Sequence, residues 1–127
     1  MARAHDAQLL KGILSLLLLQ LLAEQESYGY EVVQRLHAAG LADVAEGTVY
    51  PALSRLERER RVSARLAASN AGPARKYYRP TAAGYQALRD GAASWRSLAA
   101  IVDGQLSRPI PDEPTRGTRH APPRDLA

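Results

Sequence analysis

The side chains with the clearest chemical meaning are cations concentrated between residues 55 and 79. This stretch holds eight basic residues against Glu57 and Glu59, which gives it a charge of +6. The basic residues are Arg55, Arg58, Arg60, Arg61, Arg65, Arg75, Lys76 and Arg79. Residues 1–54 carry a charge of −3 and residues 80–127 carry +1. The charge of residues 55–79 therefore exceeds the net charge of the whole chain, which is +4. Such a concentration of positive charge favours a polyanion or an acidic protein as the partner.

Catalytic chemistry has little support in the chain. The three histidines, His5, His37 and His120, are scattered and form no catalytic triad order, phosphate loop or metal-ligand spacing. The chain has no cysteine, which excludes disulfides, thiolate metal sites and a cysteine nucleophile, and which fits a cytoplasmic protein. We therefore expect no enzyme activity, no cofactor and no metal.

The cations begin in a segment that predicts a two-faced helix. Its inner stripe is apolar and consists of Val49, Leu53 and Leu56. Its outer face carries short polar and basic side chains, Thr48, Pro51, Ser54, Arg55 and Arg58, with Tyr50 on the flank. Such a helix suits the major groove of DNA, although an ordinary surface helix has the same pattern. We expect it to begin near Gly47 or Thr48, since Pro51 would then lie in the first turn.

A leucine-rich run at residues 13–22 precedes this unit. The run has half of the roughly 20 apolar residues that a membrane span needs, and Ser15 and Gln20 interrupt it. A signal peptide is a better alternative than a membrane span, but no small-x-small cleavage site follows the run. We expect a buried helix from about residue 8 to 24, with an apolar face wide enough to be covered by the domain and by a second subunit.

A second helix and a hairpin complete the unit. Ser27 can N-cap the second helix, and Gly40 can end it. Alternation predicts strands at residues 62–66 and 75–79, joined by a turn or loop at residues 69–74. Three helices followed by a two-stranded β wing form a winged helix-turn-helix. The predicted fold is therefore mainly α, with residues 1–80 as the DNA-binding domain.

A heptad repeat runs through the C-terminal part of the chain. Its apolar positions, alternately three and four residues apart, are Tyr85, Leu88, Ala92, Trp95, Ala99, Val102 and Leu106. The repeat predicts a helix over residues 81–106, capped by Thr81, that is too long for so small a domain to bury. We therefore expect a homodimer whose interface includes Leu88, Trp95, Val102 and Leu106. The proline-rich residues 107–127 are expected to form a disordered tail.

Three strings of the sequence carry a family resemblance. They are residues 28–31 (Tyr-Gly-Tyr-Glu), residues 46–57 (Glu-Gly-Thr-Val-Tyr-Pro-Ala-Leu-Ser-Arg-Leu-Glu) and residues 72–79 (Gly-Pro-Ala-Arg-Lys-Tyr-Tyr-Arg), followed by Thr81 and Gly84. With them, residues 8–106 resemble the PadR family of bacterial transcriptional regulators. The resemblance implies a dimeric winged-helix regulator, usually a repressor. Such a protein binds an inverted-repeat operator and releases it when a ligand or another signal acts.

The resemblance also assigns residues to DNA, on the start of the third helix, on the wing and on the second helix. Together with outer-face residues and a lysine of the first helix, the predicted set is Lys11, Tyr30, Gly47, Thr48, Tyr50, Pro51, Ser54, Arg55, Arg75, Lys76 and Tyr77. Alternatives remain open for several of them. Tyr50 could be a core residue, as could one of Tyr77 and Tyr78. Arg55 and Glu57 could form only a solvated face.

The chain departs from the family pattern around the third helix. Arg60 and Arg61 stand where a glycine and an apolar residue are usual, which removes an easy left-handed C-cap and adds two charges. Ala45 stands where a capping Ser or Asn is common, so we expect a weaker cap. Pro80 replaces a usual apolar strand residue.

Trp95 has two interpretations. In some small PadR-like regulators a tryptophan here lines a pocket between subunits that accepts planar apolar compounds. The corresponding residues in this chain are Leu16, Ala92, Trp95 and Ala99. The alternative is that Trp95 fills the seam and packs on Leu16 or Leu17. For the whole molecule, the alternative to a regulator is a protein-interaction module built from the same winged helix and coiled coil.

Overall fold

Four helices and a small sheet make up the described part of the chain, in a computed structural model that covers residues 6–114. In chain order they are α1 (Ala7–Glu24), β1 (Ser27–Tyr28), α2 (Gly29–Ala38), α3 (Glu46–Arg58), β2 (Val62–Ser69), β3 (Gly72–Pro80) and α4 (Ala82–Leu106). The chain falls into two compact units, one through Trp95 and one from Arg96. The predicted fold class, mainly α with a β wing, is confirmed.

The leucine-rich helix α1 lies in the core of the first unit. Its buried side chains are Leu14, Leu18, Leu19 and Leu22. They pack with the buried residues of α2 and α3 around Val32, Leu36 and Leu53. Asp6 caps the helix, because its carboxylate accepts the Gln8 amide at 2.8 Å. The helix is long and apolar enough to pass for a membrane span, but these leucines form the domain core.

The start of α2 differs from the prediction, because Ser27 is not its N-cap. Ser27 belongs to β1, where it pairs with Tyr78 of β3, and Tyr28 takes the cap position without a side-chain hydrogen bond. The buried Ser27 hydroxyl instead donates to the Gln25 carbonyl and accepts from Arg35 at 2.8 Å. The strand pairing therefore holds the chain extended one residue further than the sequence pattern indicates.

Helix α3 begins earlier than predicted, at Glu46. The Ala45 carbonyl accepts from the amides of both Thr48 and Val49, which sets the first turn before the predicted start. Pro51 consequently lies in the second turn, and the prediction that it occupies the first turn is wrong. Its missing N–H leaves the Gly47 carbonyl without its usual helical donor. The weaker cap is confirmed, since Ala45 offers no side-chain hydrogen bond.

The wing is longer and more tightly turned than predicted. Ser69 pairs with Gly72, so the connection is only residues 70–71 and not the loop 69–74. The sheet order is β1-β3-β2, and the short strand β1 was not predicted. Tyr78 is the buried member of the Tyr77–Tyr78 pair, as the alternation requires. Leu66 is 72 % exposed, because the hairpin extends beyond the core.

Helix α4 starts where the sequence predicts. The Thr81 hydroxyl accepts the Gly84 amide at 3.1 Å and donates to the Arg60 carbonyl at 2.6 Å, so the predicted cap is confirmed. Leu88 packs against the core of the first unit. Leu16 lies so close to Gly91 that a methyl group there would press on it. This contact shows that α1 supports the first part of α4.

The second unit contains the rest of α4 and an extended segment. Four of its large apolar side chains lie on α4 and are exposed, Leu98, Ile101, Val102 and Leu106. Residues 107–114 contain no helix or strand. The remainder of the predicted tail, residues 115–127, lies outside the described residues.

Candidate nucleic-acid interface

The outer face of α3 is exposed between two clefts. Gly47, Pro51 and Ser54 follow one another along this face and are exposed to solvent. Thr48 and Arg55 lie on one flank of it, and Tyr50 and Glu57 lie on the other, because residues seven apart return to nearly the same side of a helix. The helix therefore presents the short side chains of Gly47, Pro51 and Ser54 along its centre, the exposed Arg58 at the C-terminal end of this line, and further polar groups at both edges.

The first cleft, here called the α1–α3 cleft, has a volume of about 500 Å³. Four predicted DNA-binding residues line it, Lys11, Thr48, Pro51 and Arg55. Leu10, Leu14 and Val44 form an apolar part of its wall. The structure thus brings Lys11, which is distant in sequence, beside the start of α3. An ammonium in this position can approach a phosphate that passes along the edge of the helix.

The second cleft, here called the tyrosine cleft, lies where α2 and α3 meet the wing and has a volume of about 220 Å³. Its lining contains a further four predicted residues, Tyr30, Tyr50, Arg75 and Lys76. Tyr28 and Tyr78 complete the aromatic wall. Phenol hydroxyls beside two cations, at a helix start without a side-chain cap, form a surface suited to phosphate oxygens.

Tyr50 is held in the tyrosine cleft by a glycine. Its ring packs against Gly29 so closely that a Cβ atom at residue 29 would collide with it. The ring is 40 % exposed, so Tyr50 is not a core residue. Burial, with the Glu46 carboxylate nearby, raises the pKa of the Tyr50 phenol. The hydroxyl therefore stays protonated at neutral pH and can donate to an anion. The positioning role of Gly29 was not predicted from the sequence.

The cations of the interface are already partly paired within the protein. The Lys76 ammonium donates to Glu57 at 2.8 Å, and Arg55 donates to Glu59 at 3.3 Å. The Glu57 hydrogen bond raises the pKa of Lys76, which therefore remains charged. From the sequence, Glu57 is predicted only to be part of a solvated face. Its position seven residues after Tyr50, on the flank nearer the wing, was the available signal.

Tyr77 lies on the other face of the wing from Lys76. Its ring meets Tyr28 edge to face, with centroids 5.4 Å apart, and Arg65 lies over it at 5.2 Å. Arg65 also donates to Glu26, and this contact lowers the pKa of the Glu26 carboxyl. Arg75 lies over the Tyr28 ring at 4.4 Å. The structure therefore places Tyr77 in a packed aromatic and cationic layer, outside both clefts.

Arg60 stands where a glycine is usual in the family pattern, and it adopts the backbone conformation that favours glycine. Arg60 has φ +60°, the left-handed conformation that a glycine would adopt without strain. The Arg60 amide donates to the backbone carbonyl of Glu57, and the Arg61 amide donates to the backbone carbonyl of Leu56. These two hydrogen bonds close α3 in a Schellman motif. The helix end keeps its usual geometry although the chain lacks the glycine.

The residues predicted to line an effector pocket line neither of the two clefts. In the first unit, Leu16 and Ala92 are half-buried, and Trp95 is 46 % exposed. Ala99, in the second unit, is half-buried.

Of the histidines, His37 donates to the Val44 carbonyl at 2.6 Å and so helps to hold the connection before α3. Within residues 6–114, no group of three acidic or histidine side chains could hold a metal ion.

Comparison with known proteins identifies the family. A model of the transcriptional regulator PadR-like family matches residues 18–90, which include α2, α3 and the whole wing. The chain belongs to the PadR-like family. A PadR-like regulator of Bacillus cereus has a similar structure, with a TM-score of 0.73 and 36 % sequence identity, and the match covers 81 % of this chain and all of that one.

Further relatives agree with the PadR assignment. A PadR family regulator of Eggerthella lenta matches with a TM-score of 0.73 and 31 % identity over 80 % of this chain and 88 % of that one. A protein of Lysinibacillus sphaericus is 29 % identical over 99 residues, which are 76 % of this chain and 91 % of that one. PadR-like proteins are DNA-binding transcription regulators and not enzymes. The predicted function class is therefore confirmed.

Proposed function

We propose that this PadR-like protein is a dimeric, ligand-responsive repressor that acts in the cytoplasm and binds an inverted-repeat operator. The observation that carries the proposal is the exposed outer face of α3 between two clefts. These clefts contain Lys11 and Arg55 on one side and Arg75 and Lys76 on the other. A helix that enters the major groove needs base-reading groups at its centre and phosphate-binding groups at its edges.

From this geometry we assign base contacts and phosphate contacts to different residues. Thr48, Ser54 and Arg55 are the candidates for hydrogen bonds to base edges, because they are exposed on or beside the outer face. Lys11 and the tyrosine cleft position the domain through phosphates. Gly47 and Pro51 add no hydrogen-bonding side chain, so they let the helix backbone approach the bases closely. Tyr77 has no direct role in this arrangement.

The surface of α4 supports the proposed dimer. Leu88 is covered by the domain core, whereas Trp95, Val102 and Leu106 on the predicted seam are 46 %, 41 % and 76 % exposed. A second copy of the helix would cover such side chains. Two copies of α3 related by a two-fold axis would then meet two half-sites, which is the arrangement that an inverted repeat supplies.

The same proposal assigns the effector to the dimer seam beside Trp95. The indole ring is half exposed, and Ala92 precedes it by almost one helical turn without a bulky side chain. A planar apolar compound stacked on this ring would alter how the two subunits pack. Because α1 packs on α4 through Leu16 and Gly91, a change at the seam would reach the domain that binds DNA.

Titration of labelled duplex DNA from the region upstream of the gene tests the proposal. Tyr50→Ala and Lys76→Ala should each weaken binding about tenfold, an effect typical of one lost charged or polar contact, while the protein remains dimeric. Arg89→Ala is the matched control, because it removes a cation from an exposed position of α4. Weak retardation of every duplex, lost as salt rises, would instead favour the protein-interaction module.

A further inference from the structure

Lys76, which lines the tyrosine cleft, forms an ion pair with Glu57 of α3. The Lys76 ammonium and the Glu57 carboxylate are 2.8 Å apart, and their side chains are 47 % and 37 % exposed. The pair joins β3 to α3, and Lys76 also lies 5.5 Å from the centroid of the Tyr78 ring. An exposed pair of this kind is weak and can be replaced by another anion that reaches the lysine.

The two adjacent cations of the wing point to different sides. Residues alternate along a strand, so Lys76 shares the face of the buried Tyr78, which packs toward α3. Arg75 lies on the opposite face, over the ring of Tyr28. Of these two cations, Lys76 is therefore the one whose charge α3 can neutralise, and Glu57 is the residue that does so.

We infer that Glu57 is an internal competitor of the DNA phosphate for Lys76, and that it limits how tightly the protein holds its operator. The inference rests on the proposed function. In the free protein Glu57 takes the position that a phosphate oxygen would take beside Lys76. Binding then exchanges one anion for another at the same ammonium group. Glu57 is thus a positioning residue that acts on DNA through Lys76.

The exchange has a consequence for salt dependence. A phosphate that is neutralised by a lysine releases a condensed cation, and each such contact adds about 0.9 to the slope of log K against log salt. In the wild type, the displaced Glu57 carboxylate attracts a cation from solution and offsets this release. Lys76 should therefore add little to the slope of the wild type and the full amount when Glu57 is neutral.

The test is a double-mutant cycle on duplex DNA at several salt concentrations. Glu57→Gln should tighten binding roughly two- to fivefold at low salt, as expected for the loss of an exposed competing pair, and should steepen the slope by about 0.9. In a Lys76→Ala background, Glu57→Gln should tighten binding less, because only the repulsion between the carboxylate and the phosphates is then removed. Glu59→Gln is the matched control, because any effect of that substitution should be the same with and without Lys76.

Two results would overturn the inference. Weaker binding by Glu57→Gln would mean that the carboxylate orients Lys76 toward the phosphate. An equal effect of Glu57→Gln in both backgrounds would mean that Glu57 acts only as a distant negative charge. The same proteins titrated with a scrambled duplex give the same slope comparison, since phosphate contacts do not depend on sequence. A lack of operator preference would therefore contradict the proposed function without deciding the role of Glu57.

Discussion

Arg60 completes the end of α3 in a backbone conformation that is unfavourable for a residue with a side chain. The Schellman motif at the end of α3 requires a left-handed residue, and an arginine occupies that position with φ +60°. A side chain in this conformation is strained, whereas glycine adopts it freely. The usual family pattern of glycine at this point is explained by the backbone and not by contacts of a side chain.

Replacement of Arg60 by glycine should therefore stabilise the protein. We expect Arg60→Gly to raise the free energy of unfolding by about 1 kcal/mol relative to Arg60→Ala. The alanine variant is the matched control, because it loses the same charge and keeps the left-handed strain. Urea unfolding followed by circular dichroism measures the difference. Equal stability of the two variants would show that the helix end relaxes to another conformation.

The elements show which parts of the fold can be read from sequence. The inner stripe of α3 was predictable, because burial imposes a helical period on Val49, Leu53 and Leu56. The start of α3 was not predictable, because it depends on the two backbone amides that donate to the Ala45 carbonyl. Strand β1 has two residues and no pattern of its own, so only its pairing with β3 reveals it.

The residues of the candidate site also differ in how far the sequence predicts them. Sequence resemblance could indicate Tyr30, Tyr50 and the wing cations, because they lie in recognisable strings. The pairing of Lys76 with Glu57 could not be predicted, because it joins residues 19 positions apart through the packing of the wing on α3. Lys11 was predicted as a DNA-binding residue, but its place beside the start of α3 depends on the packing of α1 against α3.

The junction between α3 and α4 supplies a test at the scale of the elements. Gly84 packs against the Arg61 carbonyl oxygen, and a Cβ atom there would collide with this backbone group. We expect Gly84→Ala to lower the free energy of unfolding by about 1–3 kcal/mol, as overpacking usually does. Gly104→Ala is the control in the same helix, because a Cβ atom at residue 104 meets no atom within 4 Å.

Denaturant unfolding of the two glycine variants gives the comparison. Gly104→Ala should be neutral or stabilising, since alanine favours a helix over glycine by up to about 1 kcal/mol. A Gly84→Ala protein as stable as the wild type would show that α4 can shift away from the end of α3 without loss. The helix would then be less firmly attached to the domain than the Thr81 cap and this close contact indicate.

At the scale of the whole molecule, the apolar seam of α4 should control assembly. Val102→Asp should convert the proposed dimer to a monomer, because a buried carboxylate without a partner opposes close packing of two helices. Ser97→Asp adds the same charge at an exposed position off the heptad repeat and should remain dimeric. Sedimentation velocity distinguishes the two states, and circular dichroism checks that both variants are folded. A dimeric Val102→Asp protein would place the interface elsewhere.

In the proposed complex, the two clefts on opposite flanks of α3 would also determine which form of DNA the domain engages fully. The walls of a major groove are the backbones of two different strands, about 12 Å apart. A helix seated between them would bring the α1–α3 cleft to one strand and the tyrosine cleft to the other. One isolated strand has no second backbone at that spacing, so it would engage only one cleft. In the proposed complex, the position of these clefts would thus make strandedness, before any base is read, the first property that the protein distinguishes.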